Sequence, residues 1–270
     1  MRRVVFVLAA VGCRFADNPA KPDASAPGDA PRPIDGAIAH DAPHDTPPDA
    51  APPEVTFVQG SGTVNSNWGN GGDTLALTMP DAIGSGDAIA VFVSWADQGS
   101  LGSITDSLGN TFTVVKTVDD GNQNQEGAVA YAQDVIGGSD TITAHFGSSP
   151  CCRVLLAHEV RGASISSAAG SATGQVQTAG NGSNAVTSTF VDAGSGDYVF
   201  GVSTDVAGTT NQTIAAGTDE TLRESLLPGG GNGNATASED RVVTGSGSAA
   251  STFTYGKSGE QITLELVLKP

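Results

Sequence analysis

From Glu54 to the carboxyl end, apolar residues recur at every second position in short runs, and Gly, Asn, Asp and Ser separate the runs. A period of two broken by turn residues is the pattern of β-strands and their connections. Ile89, Val91, Val93 and Trp95 fall on one face of a predicted strand, Ile142, Ala144 and Phe146 on one face of a second, and Tyr198, Phe200 and Val202 on one face of a third. Near the end, Ile262, Leu264, Leu266 and Leu268 point one way while Thr263 and Glu265 point the other. About a dozen such runs at a spacing of roughly 8–12 residues predict an all-β fold, an antiparallel β-sandwich whose sheets are half-buried. No stretch of this part keeps a helical period. Its glycines gather in connections such as Gly71-Gly72, Gly137-Gly138 and Gly229-Gly230-Gly231, where tight or left-handed backbone is needed.

A faint internal repeat runs through the pattern. Asp81-Ala82-Ile83-Gly84-Ser85-Gly86-Asp87 precedes the strand that begins at Ala88, and Asp192-Ala193-Gly194-Ser195-Gly196-Asp197 precedes the strand that begins at Tyr198. Two hairpins of similar construction in one sandwich, an old duplication, or a chance match in a glycine-rich chain all produce it. The run Ile104-Thr105-Asp106-Ser107-Leu108-Gly109-Asn110-Thr111-Phe112-Thr113, with Tyr131-Ala132 and Gly137-Gly138, resembles segments of uncharacterised β-sandwich domains in secreted bacterial proteins. That resemblance implies a jelly-roll-like fold and carries no activity with it.

The first 53 residues have a different texture. Met1-Arg2-Arg3 is a short positive region, Val4 to Val11 is apolar, and Gly12-Cys13 follows. The apolar run is under half of the roughly 20 residues that cross a bilayer, so residues 1–12 read as a signal peptide. Leu8-Ala9-Ala10-Val11-Gly12-Cys13 resembles the lipobox of bacterial lipoproteins, with Ala10 where leucine is usual; the resemblance implies lipid on Cys13 and a new amino terminus there. Residues 13–53 hold ten of the 14 prolines among Ala and Asp. Such a tract buries too little to repay chain entropy and predicts a disordered, extended stalk. The expected organisation is a signal peptide (1–12), a stalk anchored through Cys13 (13–53) and one β-sandwich domain (54–270), placed in the bacterial cell envelope at the outer membrane or cell surface, or else secreted.

The formal charge of −17, from 29 acidic and 12 basic residues, argues against nucleic acid. A phosphate backbone needs clustered cations, and Lys116, Arg153, Arg161, Arg223, Arg241, Lys257 and Lys269 are scattered.

The candidate chemistry is sparse. No Gly-x-Ser-x-Gly elbow is present, and the sequence from Glu54 onward holds two histidines. His145 alternates outward with Thr141 and Thr143, whereas His158 shares the apolar face of Val154, Leu156 and Val160 and reads as a core histidine with satisfied ring nitrogens. Arg153, Glu159 and Arg161 read as charges along a solvated row. Asp119, Asp120, Asn122, Asn124 and Glu126 offer oxygen at alternate positions around Gly121, which suits either a calcium ion or an ordinary hydrated hairpin. Trp68 is the large ring in a loop context and the candidate contact for a sugar, or else a cover over one end of the sandwich.

Cys151-Cys152 is left with no third thiol if Cys13 carries lipid. An oxidising compartment then favours a bridge between neighbours, which only a turn can hold, while unbridged buried thiols are the alternative. These readings converge on a non-enzymatic surface lipoprotein with a structural or binding role. Its rivals are a carbohydrate- or cell-surface-binding module, recognised by Trp68 and the cysteine turn lying at one loop-bearing edge, and a glycan-active enzyme, which requires two carboxylates facing each other across a cleft. The partners expected are the membrane, through the lipid, and a surface glycan or protein.

Overall fold

The computed structural model describes residues 54–65, 72–96, 99–121, 125–163, 172–178, 185–206, 208–209, 211–227 and 234–270. Residues from Ala50 to Pro270 form one compact unit. It is built of antiparallel sheets, with no helix among the described residues.

The strands are β1 (Thr56–Asn65), β2 (Thr74–Thr78), β3 (Ala88–Ala96), β4 (Leu101–Asp106), β5 (Thr113–Asp119), β6 (Gln125–Ala132), β7 (Thr141–Phe146) and β8 (Arg153–Arg161). They are followed by β9 (Ala172–Thr178), β10 (Ala185–Thr187), β11 (Val191–Ala193), β12 (Tyr198–Asp205), β13 (Ile214–Ala215), β14 (Thr221–Leu226), β15 (Thr236–Val242), β16 (Gly247–Ala249), β17 (Thr252–Tyr255) and β18 (Glu260–Leu268).

These strands make the same structure twice. The first half has a five-stranded sheet in the order β1-β8-β3-β6-β5 and a three-stranded sheet in the order β2-β7-β4. The second half repeats the larger sheet as β9-β18-β12-β15-β14. It also repeats the smaller one, with two strands each broken in the middle, as β10-β17-β13 and β11-β16. Each half is a two-sheet sandwich of the jelly-roll kind whose fifth strand folds back onto the sixth.

Even the irregularities match. The edge strand of each larger sheet carries a bulge at the equivalent place, between Val114 and Lys116 in β5 and between Leu222 and Glu224 in β14. Bulged, twisted edges resist pairing with other chains. The repeated Gly-Ser-Gly-Asp turns share backbone hydrogen bonds. Asp87 N donates to Gly84 O and Asp197 N to Gly194 O, while Gly86 N donates to Val135 O and Gly196 N to Val243 O. Gly86 and Gly196 have φ of 85° and 89°, which glycine adopts without strain. Each aspartate also meets a cation at or just beyond the end of the last strand of its half, Arg161 at 3.6 Å and Lys269 at 2.5 Å. The faint repeat in the sequence is therefore structural, and it marks two halves rather than two hairpins of one sandwich.

The two larger sheets pack face to face. Phe92, Val129, Leu156 and Val160 from the first half meet Phe200, Val202, Leu264 and Leu266 from the second in one apolar cluster. The smaller sheets cover the outer faces: Leu77, Ile104 and Ile142 pack on Ile89, Val91 and Leu155, while Phe253 and Tyr255 pack on Ala237. The inner sheets are thus covered on both faces. β3, β8, β12 and β18 are buried almost throughout, not half-buried as their alternation suggests. Arg153 and Glu159, read from sequence as solvated, are fully buried.

Glycine sets how closely the inner sheets approach. Across the interface, a Cβ on Gly174 would lie 2.8 Å from Val118 Cγ2, and one on Gly62 would lie 3.0 Å from Leu226 Cδ1. Gly174→Ala is therefore expected to cost about 1–3 kcal/mol by overpacking. Thermal unfolding should read this as a fall in Tm of about 2–12 °C.

Candidate functional site

Strand direction sorts the connections into two ends. β1 runs away from Glu54, and its antiparallel neighbours place the connections after β1, β3, β5 and β7 at the end opposite Glu54. β14 of the second half advances alongside β1 in the same direction: a Cβ on Gly60 would lie 3.2 Å from Glu224 Oε1, and one on Gly62 would lie 3.0 Å from Leu226 Cδ1. The connections after β12, β14 and β17 therefore share that distal end. Glu54, Pro270 and the two repeated aspartate turns occupy the proximal end. Two open depressions of about 510 and 470 Å³ flank Val242–Thr244 at the proximal end, lined mainly by glycine, serine, threonine and valine.

At the distal end of the first half, Cys151 and Cys152 are joined by a disulfide across neighbouring Cα atoms 3.8 Å apart. The turn permits it because Cys152 takes a left-handed backbone, φ 55°, a conformation that costs a non-glycine residue energy and persists only where its surroundings hold it. Several contacts supply that hold. Ala96 N donates to Cys151 O at 2.9 Å, and Trp95 Nε1 donates to Gly99 O at 2.8 Å. Arg153 Nη1 donates to Gly72 O and Thr74 O, and Ser149 Oγ donates to Gly72 O.

Both cysteines are buried, packed with Ala96, so the ring is a floor beneath the distal connections and not an exposed contact surface. Trp68 lies outside the described residues. The segment that carries it leaves from Asn65, paired with Arg153, and returns at Gly72, which Arg153 and Ser149 hold. Both ends of that segment thus rest against the cysteine turn.

Asn122 and Asn124 of the proposed calcium loop also lie outside the described residues. Asp119 Oδ1 accepts from Gly121 N at 2.8 Å and Asp120 Oδ1 from Gln125 N at 3.3 Å, as carboxylates do when they shape their own hairpin. Glu126 is paired across the strands with Asp119, and desolvation followed by the charge of Asp119 raises its pKa. Among the described residues, no three His, Cys, Asp or Glu side chains converge as metal ligands.

A polar chain crosses the interface between the inner sheets. Ser238 Oγ and Tyr198 OH sit 2.8 and 3.0 Å from the two ring nitrogens of His158. Tyr198 OH donates to Asp240 Oδ2 at 2.6 Å, and Arg223 Nε donates to Asp240 Oδ1 at 2.9 Å. The rings of Phe57 and Phe200 stand edge-on to His158, and Arg223 lies over Phe57.

Serine, histidine and aspartate in sequence along one chain of hydrogen bonds have the composition of a nucleophilic triad. Ser238, His158, Tyr198 and Asp240 are nevertheless all buried, so no substrate carbonyl reaches the serine. Burial, and then the charge of Arg223, push the His158 pKa down to about 3, leaving a neutral ring that bridges the two halves. His158 is the satisfied core histidine its pattern indicates. Its partners are 40 and 80 residues away in sequence, and their one local trace is the polar run Ser238-Glu239-Asp240-Arg241, which the structure places in β15.

Paired carboxylates do occur, enclosed within the second half. Thr252 N donates to both Glu239 Oε1, at 2.9 Å, and Glu220 Oε2, at 3.1 Å, which sets the two acids side by side. Desolvation and then Glu220 push the Glu239 pKa up to about 10, so the pair holds a proton at neutral pH. Glu239 is buried and the Glu220 side chain is 2% exposed. They do not face each other across an open cleft as glycoside hydrolysis requires. His145, expected in solvent, is half-buried and bonded to Thr105 at 2.8 Å.

No family model, curated protein or solved structure matches the chain.

His158 fixes a pH dependence. Its ring is held neutral when folded and titrates near 6.5 when unfolded, so below pH 6.5 the unfolded chain takes up a proton that the folded chain refuses. Relative to His158→Gln, wild type is expected to lose about 1.4 kcal/mol per pH unit from pH 6.5 down toward 3. Denaturant melts of the two proteins across that range measure the difference.

Proposed function

We propose that this chain is a non-enzymatic lipoprotein of the bacterial envelope, anchored through lipid on Cys13. It displays its double sandwich at the end of the Pro/Ala/Asp-rich tract and binds a surface glycan or protein through the distal connections. The observation that carries the reading is the polarity of the domain. The chain enters at Glu54, and the Cys151–Cys152 turn and both ends of the Trp68-bearing segment lie at the opposite end. In a protein tethered through its amino terminus, that end is the one turned away from the anchor.

The interior supports a scaffold more than a catalyst. Its nearest approach to a nucleophilic triad is buried, and its paired carboxylates are sealed between strands. The distal turn is stiffened by a disulfide between neighbours, and a preorganised support lowers the ordering cost of binding.

Two outcomes are expected. In fractionated cells, Cys13→Ser moves the protein from the membrane to the soluble or extracellular fraction; equal retention of mutant and wild type defeats the anchoring half of the reading. On glycan arrays and on whole cells, Trp68→Ala lowers binding by tenfold or more, the loss of about 1.4 kcal/mol expected of an aromatic anchor. Binding unchanged by the substitution moves the ligand away from that segment.

A further inference from the structure

The two repeated turns part at one hydrogen bond. In the second half, Asp197 folds its carboxylate back on its own turn: Oδ2 accepts from Gly194 N at 2.6 Å and meets Lys269 Nζ. In the first half the equivalent amide, Gly84 N, donates instead to Glu159 Oε1 at 2.7 Å. The strand pairing shows why. Ile89 faces Glu159 across β3 and β8, and Val199 faces Val267 across β12 and β18, so the second half has valine where the first has a competing acid.

The exchange orphans an oxygen. Asp87 is 5% exposed, and its Oδ2 has no hydrogen bond among the described residues. A Cβ on Gly84 would lie 2.5 Å from that oxygen and 3.4 Å from Glu159 Oε1, so the two carboxyl groups converge beside the turn. Glu159 is fully buried and accepts at both oxygens, from Gly84 N and, at 2.6 Å, from Gln59 Nε2. A carboxylate oxygen accepts more than one hydrogen, so Oε1 has room for another. Two buried carboxylates this close repel when both are ionised, and one proton turns the repulsion into a hydrogen bond.

The surrounding groups leave that proton on Asp87. From β8, Arg161 Nη2 stands 3.6 Å from Asp87 Oδ2, but its side chain is 62% exposed and water weakens its pull. After β6, the Asp134 carboxylate approaches Gly86 and adds negative charge. Glu54 is exposed before β1, and Asp81 is exposed at the start of the turn. From β1 comes neutral Gln59, which also donates to Asp81 O and accepts from Asp81 N. Burial, and then the hydrogen bond with Glu159, push the Asp87 pKa up to about 6 against the charge of Arg161.

We propose that Asp87 and Glu159 form a proton-operated latch at the proximal end. With the proton in place, Asp87 donates to Glu159, and Glu159 ties the turn and β1 to β8 through Gly84 N and Gln59 Nε2. When the proton leaves for solvent, two negative charges face each other, and Asp87 reclaims Gly84 N as Asp197 holds Gly194 N. The latch lies where the chain enters the domain, since Arg161 pairs with Thr56 at the start of β1. It stands whether or not Cys13 is lipidated. Unfolded, Asp87 titrates near 3.8, so the latch contributes its full stability below that pH and loses it as pH rises through about 6.

Two measurements on the full chain test the latch. The Gly84 amide, followed by NMR from about pH 4 to 8, is expected to shift with a midpoint near 6, and Asp87→Asn and Glu159→Val are each expected to abolish that step. In denaturant melts, the unfolding constant of wild type relative to Asp87→Asn is expected to rise about tenfold per pH unit from about pH 4 to 6 and to level off above. Taking the ratio cancels the opposite dependence of His158. Asparagine keeps a donor toward Glu159 at every pH, so Asp87→Asn carries the test alone should Glu159→Val fail to fold. A Gly84 amide that stays still between about pH 5 and 7 overturns the proposal. A step that survives Asp87→Asn, or a ratio independent of pH, overturns it as well.

Discussion

When two five-stranded sheets pack face to face, each also covered by a smaller sheet, every side chain on their central strands must find its partner inside the protein. That constraint governs the domain. Apolar side chains satisfy it by contact, as Phe92, Phe200 and Leu264 do. A polar side chain satisfies it only by hydrogen bonding, because an unmet buried polar group costs a large part of the 5–15 kcal/mol that typically holds a domain together. The chain from Arg223 through Asp240, Tyr198 and His158 to Ser238 meets the demand by spending nearly every donor and acceptor on a neighbour. It also joins the halves, since His158 comes from β8 and the other four from the second half. Apolar contact alone lets two faces slide; a histidine fixed at both nitrogens specifies one register between them.

The two halves obey the same constraint with different chemistry. Across the middle of the first sandwich, Ala130, Val91 and Ala157 form one row, and the corresponding row of the second is Glu239, Gly201 and Glu265. The acids answer a break in the outer strands. Where β16 gives way to β17, backbone N–H groups turn inward, and Glu265 accepts from Ser251 N while Glu239 accepts from Thr252 N; at the break between β10 and β11 the Ser188 hydroxyl donates to Glu265. Ser251 then sits over Gly201, whose missing side chain makes room: a Cβ there would lie 2.2 Å from Ser251 Oγ. Each substitution in the row is intelligible only with the others. Glutamates without the broken strands would be orphaned, and a side chain at Gly201 would expel the serine.

Much of the architecture was legible because local pattern dictates it. The alternation of Ile142, Ala144 and Phe146 gave a strand with one buried face, and the structure buries those three while leaving Thr141, Thr143 and His145 half-exposed. The second covered face was harder to see. Ala88 to Ala96 is apolar at every position but Ser94, the mark of a strand buried on both sides; yet Thr263 and Glu265 read as solvated, because their partners Ser203, Ser188 and Ser251 come from remote segments. The duplication showed only at the Gly-Ser-Gly-Asp turns, where backbone geometry preserves sequence, while the cores diverged under different packing. The polar chain through His158 left almost no sequence signal, since hydrogen bonds across a sheet interface have no characteristic spacing.

Placement connects this interior to the two ends. The proximal end keeps the repeated turns nearly identical, each aspartate paired with a cation, and equivalence there reflects a structural duty common to both halves. At the distal end the halves have least in common. One closes with a disulfide, an indole and a buried guanidinium, the other with a carboxylate, two amides and a glycine. Connections vary more freely than the strands they join, because the strands supply stability and leave the loops to vary. The inner sheets bear that load: with the register between the halves fixed through His158, the strand ends that carry the two dissimilar sets of connections are held side by side.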